Sequence, residues 1–417
     1  MIKLMDNKLL DNIRDALEQL WHHKLRTLLT LLGMIFGVGA VISMISVGEG
    51  AEKEALQLID SMGVRNLIVE EKQISEERLK EVRKHSVGLS LADVNASVET
   101  LPFVINHSAE KNVEVHTLFS RFGDSDSKVL GVTNSFKPLS RLELAEGRWF
   151  EPSDERYFRQ VVVLGGQSAS QLFPNGRAVG SQIKINHLWM EVIGVLNTTK
   201  LSKDSFQGVK LGGLSEQIYM PLQTALKRFK FRNLSSEIDR FKLELNERVS
   251  PQVAANSLTH LLNRRHSQEQ DFNIIVPAAL LNQHKETQRI FNIIMSCVAG
   301  ISLLVGGIGI MNIMLATVLE RTKEIGLLRA IGATQRDIRN QFIIESFTIS
   351  ALGGLLGIIL GFILAMVITA FASWPVGWSL SAIVISVLFC ALIGLTFGLY
   401  PAIKASRLDP IVALQRD

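Results

Sequence analysis

The chain has 417 residues and a net charge of +4, with 47% hydrophobic and 20% charged residues. This small surplus gives no basic surface of the kind that binds nucleic acid, so we expect no nucleic-acid partner. The charged fraction lies below the roughly 25% typical of soluble domains, and residues 346–403 contain no Asp, Glu, Lys or Arg. An uncharged stretch well beyond about 20 residues predicts membrane spans and excludes an ordinary soluble enzyme.

The first predicted element is an amphipathic helix within residues 1–27. Ile13, Leu17 and Trp21 recur at helical spacing, which is typical of a helix lying on the inner leaflet or packed on a partner protein. Residues 28–47 carry no charge and predict the first transmembrane helix. This block is longer than the apolar region of a signal peptide, and the segment before it contains four acidic residues, so we interpret it as an uncleaved anchor.

Residues 48–290 have the composition of a soluble domain, because about a quarter of them are charged. Helical patterns at Glu76–Lys84 and Ser250–Arg264 alternate with short strand-like runs, which predicts a mixed α+β domain. The seven strand-like runs are Asn66–Glu70, Gln160–Leu164, Gln182–Asn186, Met190–Leu196, Gln217–Leu222, Phe241–Leu245 and Phe272–Val276. Residues 49–61 and 277–289 read as helical continuations of the adjoining spans, which would form either a stiff stalk or two ordinary tethers.

Three further transmembrane helices are predicted at 291–319, 343–373 and 380–403. The last two are separated by a short external turn at 374–379, where Pro375 and Gly377 interrupt the helical pattern between Trp374 and Trp378. The predicted fold is an α-helical membrane protein with four transmembrane helices and a large α+β external domain inserted between helices 1 and 2.

Basic residues indicate the orientation. Segments 1–27, 320–342 and 404–417 together hold 13 Lys and Arg, about one position in five, whereas 48–290 holds 31, about one in eight. The positive-inside rule places both termini and the 320–342 loop in the cytoplasm, and residues 404–417 form a cytoplasmic tail. We therefore expect a multi-pass membrane protein whose 48–290 segment lies outside the cytoplasm.

The sequence lacks the residue spacings that are typical of nucleotide-binding and metal-dependent enzymes. No Gly-Lys pair occurs, so the chain has no phosphate-binding P-loop, and no two histidines have HExxH spacing. Both cysteines, Cys297 and Cys390, fall within predicted membrane helices. We expect no catalytic residue, metal site or cofactor in this chain. Glu345 lies a few residues inside the third span, where we expect its side chain to extend to the cytoplasmic edge.

Two groups of residues are candidates for other roles. Small residues at four-residue spacing allow close helix packing, within the bundle or across a dimer. They are Gly33 and Gly37 on the first helix, Gly353, Gly357 and Gly361 on the third, and Gly394 and Gly398 on the fourth. In the 320–342 loop, Ile325, Leu328 and Ile331 form an apolar stripe ringed by basic residues, which suits a groove on a partner or an interfacial loop.

Four stretches of sequence resemble the MacB-like ABC transporter permeases, of which the lipoprotein-releasing (LolC-type) and cell-division (FtsX-type) permeases are relatives. The stretches span nearly the whole chain in order. They are Leu20–Gly50; the group Gly147–Phe150, Val161–Gly165, Gln171–Pro174 and Val179–Gly180; Glu320–Ala333 (ERTKEIGLLRAIGA); and Tyr400–Leu414 (YPAIKASRLDPIVAL).

The resemblance implies a multi-pass protein of the bacterial inner membrane, in which a dimer of permeases, homomeric or heteromeric, works with two ATP-binding subunits. ATP-driven motion would pass along the stalk to a periplasmic domain with an inserted β-rich part near 116–240, which expels substrate already outside the cytoplasm. Arg321, Glu324, Ile325, Leu328, Arg329 and Ile331 would contact the ATPase, which alone would bind ATP.

The resemblance leaves other properties open. The founding exporter carries its ATPase before the amphipathic helix, whereas this sequence begins near that helix, so we expect a separate ATPase subunit. The transported substrate is open, as is the participation of a periplasmic adaptor and an outer-membrane duct. The alternatives are a lipoprotein-releasing permease and a non-transporting activator of an envelope enzyme, although FtsX-type activators have a much smaller external domain.

Overall fold

A computed structural model describes residues 24–174, 176–198, 205–206, 209–210, 213–372, 377 and 380–415. The helices in chain order are α1 Lys24–Met62, α2 Glu76–Val82, α3 Leu91–Thr100, α4 Phe136–Leu139, α5 Pro152–Arg156, α6 Gly166–Leu172, α7 Leu222–Arg228, α8 Pro251–Arg265, α9 Pro277–Glu320, α10 Thr322–Ala330, α11 Gln335–Ala372, α12 Leu380–Ser406 and α13 Pro410–Gln415. The predicted amphipathic helix at 1–27 and the turn at 374–379 lie outside the described residues, except for 24–27, which begin α1, and Gly377.

The strands, all between α1 and α9, are β1 Asn66–Glu71, β2 Val104–Val113, β3 Leu118–Phe119, β4 Lys128–Val132, β5 Leu144–Gly147, β6 Val161–Leu164, β7 Gln182–Ile185, β8 Leu188–Leu196, β9 Ser205–Phe206, β10 Val209–Lys210, β11 Gln217–Pro221, β12 Arg240–Leu245 and β13 Phe272–Ile275. The chain divides into two compact units. We call them the helical unit (described residues 24–54 and 285–415) and the sheet unit (described residues within 55–284). The four-helix, α+β fold class predicted from the sequence is confirmed.

Four helices in the described part of the chain are long and apolar enough to cross a membrane: α1, α9, α11 and α12. Two of them extend well beyond the apolar blocks at 28–47 and 291–319, since α1 continues to Met62 and α9 begins at Pro277. Hydropathy marks only the part of a helix that faces lipid, so the polar continuations at 49–61 and 277–289 add length without adding apolar residues.

The 320–342 segment is mostly helical. Helix α10 fills much of it, and α11 already begins at Gln335. Gly332 has a φ of +111°, a left-handed conformation that favours glycine and ends α10. Thr334 and Asp337 then exchange side-chain hydrogen bonds with each other's backbone N–H groups, at 3.3 and 3.0 Å, and this reciprocal cap begins α11.

The seven glycines singled out from the sequence all lie where helices of this chain meet. A Cβ at Gly33 or Gly37 would approach Gly306 and Leu303 on α9. Gly353, Gly357 and Gly361 on α11 face α1 in the same way, and Gly394 and Gly398 on α12 face serines of α11. These contacts lie within one chain, where the absence of a side chain lets the helix backbones approach closely. Gly306 and Gly354 also lie at such contacts, although the four-residue spacing in the sequence did not include them.

Replacing Gly361 with alanine is expected to destabilise the helical unit. The new Cβ would lie 2.9 Å from the Gly39 carbonyl oxygen and 2.9 Å from the Ile42 Cβ, so two helix backbones must separate. Overpacking of this kind costs about 1–3 kcal/mol. Gly300→Ala is the matched control, because no atom lies within 4 Å of its new Cβ. Equal melting temperatures for the two variants in detergent would contradict this packing.

The sheet unit contains one sheet of eleven strands. Its order is β13-β1-β12-β2-β4-β11-β6-β8-β7-β3, with β5 also paired to β8. The pairs β4–β11 and β6–β8 are parallel and the other described pairs in this sheet are antiparallel. Strands from residues 118–221 lie together on one side, and the flanking segments of the chain supply the other side. The β2–β4 ladder, from Glu110 to Val113, joins the two sides into a continuous sheet.

All seven strand-like runs of the sequence are strands in the structure, and β2 is the longest strand that the pattern missed. Ser108, Glu110 and Lys111 of β2 are buried, so this strand lacks the apolar alternation that marks the others. Lys111 Nζ lies 2.5 Å from the Asp239 carboxylate and donates a 2.7 Å hydrogen bond to the Ser236 carbonyl. These partners offset the cost of burying the charge.

Candidate functional site

Helix α10 presents two different faces. Thr322, Ile325 and Gly326 are buried, and Ile325 is 3% exposed within the apolar core of the helical unit. Leu327, Leu328 and Ile331 are exposed, and we call these three residues the α10 patch. An exposed apolar patch with a polar rim is typical of a docking surface.

The short helix α13 packs against the buried face of α10. A Cβ added at Gly326 would lie 2.7 Å from the Ala413 Cβ, which shows how closely the two backbones approach. Ala413 is buried, whereas Ile411 and Val412 of the same helix are more than 60% exposed. The end of the chain thus supports α10 and adds apolar surface of its own, a role that the sequence analysis did not assign.

The ends of α10 are held by arginine side chains. Arg321, just before the helix, donates hydrogen bonds to the Glu324 carboxylate from Nε at 2.7 Å and from Nη2 at 3.3 Å. This hydrogen bonding lowers the pKa of Glu324 below its ordinary value and outweighs the opposing effect of partial burial. At the other end, Arg329 Nη1 donates to the carbonyl of Ser406, the last residue of α12, at 3.4 Å.

Glu345 is buried within the helical unit, and its expected extension to the cytoplasmic edge of the membrane stays a prediction. The residue is 3% exposed, and its Oε2 lies 3.7 Å from Nη1 of Arg321. A carboxylate at this depth is costly without a charged partner, and Arg321 lies close enough to be that partner. Periodicity located Glu345 on α11 but could not show that Arg321, 24 positions earlier, folds back towards it.

The structure therefore separates the six residues predicted to contact an ATPase. Leu328 and Ile331 lie on the α10 patch together with Leu327, which the sequence analysis did not name. Ile325 is part of the protein's own core, because it faces the packed side of α10. Arg321, Glu324 and Arg329 take part in contacts within the chain, although Glu324 remains exposed.

The sheet unit contains a buried ionic cluster that resembles a catalytic triad in composition only. Ser86 Oγ and Asp271 Oδ1 both approach Nδ1 of His266, at 3.0 and 2.7 Å. In a triad the serine and the aspartate bond to opposite ring nitrogens, whereas here both occupy the same one. Nε2 instead faces Asp93 at 3.4 Å, so the cluster links elements of the sheet unit and does not activate a nucleophile.

The charges of this cluster stabilise one another. Burial by itself would lower the pKa of His266, but the hydrogen bonds and charges of Asp271 and Asp93 raise it to about 9. Burial would raise the pKa of Asp93, but hydrogen bonds from His266 and Arg265 bring it to about 2. His266 is therefore protonated and both carboxylates are ionised at neutral pH.

One open cleft of about 810 Å³ lies in the sheet unit, where β8 changes partner from β7 to β5. Arg148, Arg159 and Trp189 line it. Both arginines pair with the buried Asp154, at 2.7 and 3.4 Å, which neutralises part of their charge. No group of three or more His, Cys, Asp or Glu able to hold a metal ion occurs among the residues that the structure describes.

Comparison with known families identifies the chain. Residues 27–261 match the MacB-like periplasmic core domain, and residues 296–410 match the FtsX-like permease C-terminal domain. The chain belongs to the MacB-like family of ABC transporter permeases. It is therefore a membrane protein with four spans and an extracytoplasmic domain, and its family implies a partner ATPase. The α10 patch and the Arg321 contacts lie within the FtsX-like permease match.

Several MacB-like relatives align over nearly the whole chain. It is 33% identical to the uncharacterized ABC transporter permease YknZ of Bacillus subtilis, a match that covers 98% of this chain and 99% of that protein. It is 32% identical to the macrolide export ATP-binding/permease protein MacB of Bdellovibrio bacteriovorus, covering 98% of this chain and 62% of that protein. The chain thus spans about three fifths of the MacB-like ATP-binding/permease proteins that it matches.

Among solved structures, the periplasmic region of MacB from Actinobacillus actinomycetemcomitans aligns with 55% of this chain at 20% identity and a TM-score of 0.43.

Proposed function

We propose that this chain is the permease subunit of a MacB-like ABC exporter. A separate ATPase docks on the α10 patch, and ATP-driven motion passes along α1 and α9 to the extracytoplasmic domain, which expels substrate that has already left the cytoplasm. A separate ATPase is favoured by the match to YknZ, which is named a permease and is covered over 99% of its length.

The observation that carries this proposal is the continuity of two helices. Helix α1 has 39 residues and α9 has 44. At 1.5 Å per residue they are about 58 and 66 Å long, roughly twice the ~30 Å hydrocarbon core of a bilayer. Each helix has residues in both the helical unit and the sheet unit, so a displacement at one end has an unbroken path to the other.

The same two helices contact each other in both units. In the helical unit, Gly33 lies against Gly306, and Gln288 Nε2 donates a 3.2 Å hydrogen bond to the Gly48 carbonyl. In the sheet unit, Ile59 of α1 belongs to an apolar cluster to which Leu280 of α9 also belongs. A pair of helices joined at several levels resists bending better than two separate tethers, which favours transmission of force.

The α10 patch supports docking of an ATPase. Leu327 is 55% exposed and Ile331 is 75% exposed, so a partner can reach both side chains without a rearrangement of α10. Lys323 and Arg336 are exposed nearby in the sequence and supply a basic rim. An apolar centre with a charged rim is the usual composition of a protein–protein interface.

The orientation and the dimer are part of the same proposal. The 13 basic residues in segments 1–27, 320–342 and 404–417 favour a cytoplasmic position for both termini and for α10. A second permease copy would cover part of the exposed apolar surface of α9, such as Phe291, Val298 and Ile301. The remaining apolar surface would face lipid.

A cysteine introduced at Val87 tests the orientation. Val87 is 79% exposed in the sheet unit, so an impermeant maleimide should label Val87→Cys in intact cells on a background of Cys297→Ser and Cys390→Ser. In the variant Lys323→Cys, the cysteine should react with the maleimide only after the membrane has been permeabilised. If only Lys323→Cys were labelled in intact cells, the orientation of the protein in the membrane would be the opposite of the one proposed.

Co-purification tests the function. The tagged chain, solubilised from its own cells, should bring with it a protein containing a P-loop and hydrolysing ATP. In nanodiscs, ATP should change the proteolytic sensitivity of residues 49–61 or 277–289, whereas a non-hydrolysed nucleotide should trap one state. Purification with an envelope hydrolase and no ATP-dependent transport step would favour the activator function, and the absence of any ATPase would refute the proposal.

A further inference from the structure

Arg321 stands between two carboxylates that belong to different helices. Glu324, one turn into α10, receives the two short hydrogen bonds described above. Glu345 belongs to α11, the membrane helix that follows α10, and its Oε2 lies 3.7 Å from Nη1. The two pairs use different nitrogens of the same guanidinium group, so both coexist in this structure.

The two carboxylates differ in burial. The Glu324 side chain is 55% exposed, whereas that of Glu345 is 5% exposed. An exposed pair within one short helix contributes little to stability, because water screens it. A buried carboxylate that loses its cation is strongly destabilising, because the remaining charge is poorly solvated. Glu324 therefore orients the Arg321 side chain. A displacement of Arg321 costs free energy mainly because it separates Arg321 from Glu345.

The surroundings of Glu345 leave it little freedom. Ser346, the next residue, is fully buried and donates to the Gly394 carbonyl on α12 at 3.2 Å. Phe342, one turn earlier on α11, is 1% exposed in the core of the helical unit. The carboxylate is thus fixed to the packed part of α11, and a displacement of Arg321 cannot be followed by Glu345 unless α11 moves as well.

We propose that the Arg321–Glu345 ion pair is the mechanical link between α10 and the membrane helix α11, and that Glu345 is a positioning residue for energy coupling. A push on the α10 patch displaces Arg321, and the cost of separating the buried pair makes α11 move with α10. This inference rests on the proposed function, in which α10 receives the motion of the ATPase. The link between Arg329 and Ser406 holds the other end of α10, so the helix responds as a unit.

The first test needs no ATPase. Hydrogen–deuterium exchange is measured on the purified full-length chain and on the variants Glu345→Gln and Glu324→Gln. In Glu345→Gln the amides of Thr322–Ala330 should exchange about tenfold faster, because α10 opens more often when its buried link is weakened. Exchange in Glu324→Gln should change by less than about threefold. Equal exchange of α10 in both variants would overturn the link.

The second test measures coupling in the complex with the co-purified ATPase in nanodiscs. Glu345→Gln should retain the bound ATPase and its ATP hydrolysis but lose the ATP-dependent change in proteolysis of residues 49–61. Glu345→Asp, which keeps the charge, should restore part of that change. A merely structural role would lower ATPase binding together with coupling, and unchanged coupling in Glu345→Gln would overturn the inference.

The two tests also separate this inference from the proposed function. If no ATPase co-purifies with the wild-type chain, the proposed function fails. The exchange experiment then still decides whether Glu345 holds α10.

Discussion

Replacing Leu328 with aspartate is expected to weaken binding of the ATPase at least about 30-fold, which corresponds to about 2 kcal/mol. Leu328 is 37% exposed at the α10 patch, where the substitution removes an apolar contact and introduces a charge that docking would bury. The amount of ATPase retained by the tagged permease, compared at several salt concentrations, measures the effect.

Leu234→Asp is the matched control for this experiment. Leu234 is 43% exposed, close to the value for Leu328, but it lies in the sheet unit, which we place on the other side of the membrane. The control should retain the ATPase and reach the membrane in normal amounts. If Leu328→Asp and Leu234→Asp retain the ATPase equally, the α10 patch is not the docking surface.

Replacing Asp271 with alanine is expected to lower the free energy of unfolding of the sheet unit by about 3–5 kcal/mol. The Asp271 side chain is 1% exposed and accepts hydrogen bonds from Arg83 at 3.2 Å and from Ser86 at 2.7 Å. Its removal leaves Arg83 and protonated His266 without one of their anions. Pulse proteolysis of the full-length chain across a urea series measures the change.

The exposed pair Lys84–Glu81 provides the contrast. Its N–O distance is 3.4 Å and its side chains are 66% and 76% exposed, so Glu81→Ala should cost only about 0–1 kcal/mol. A loss for Asp271→Ala as small as that for Glu81→Ala would show that the buried cluster contributes no more than a surface pair.

The same cluster predicts how stability depends on pH. The raised pKa of His266 means that its contribution is complete below the ordinary value of 6.5 and is lost as the pH rises through about 9. The lowered pKa of Asp93 means that its contribution is present above 3.8 and is lost as the pH falls towards 2. The stability that these two groups contribute is therefore greatest between pH 3.8 and pH 6.5. Asp271→Ala removes an anion that raises the pKa of His266, so the loss of stability at alkaline pH should be smaller in this variant.

The membrane helices could be predicted from the sequence because the signal is local. Uncharged blocks such as residues 346–403 predict membrane spans directly. The four-residue spacing of Gly353, Gly357 and Gly361 predicts the helix face that packs against a neighbouring helix. Among the predicted strands, Val161–Leu164 gives the clearest local signal, because it is buried along its whole length and contains only apolar residues.

Long-range pairing explains what the sequence could not show. Ile325 and Leu328 look alike in a helical pattern, but α13, some 90 residues later, covers the face of α10 that includes Gly326. Glu345 could be located near a membrane edge, yet the sequence could not show that Arg321 comes within 3.7 Å of its carboxylate. Similarly, Lys111 on β2 is compatible with a strand only because Asp239 folds next to it.

The position of β1 in the sheet has a consequence for biosynthesis. It pairs with β12 and with β13, and residues 66 and 272 are separated by about 200 positions. At 5–20 residues per second a ribosome needs on the order of 10–40 s to make that segment. The strands of residues 118–221 can pair earlier, whereas the strand partners of β1 do not exist until β12 and then β13 have been made. A chain that terminates before β12 would leave β1 without its strand partners, and an unpaired strand edge promotes aggregation.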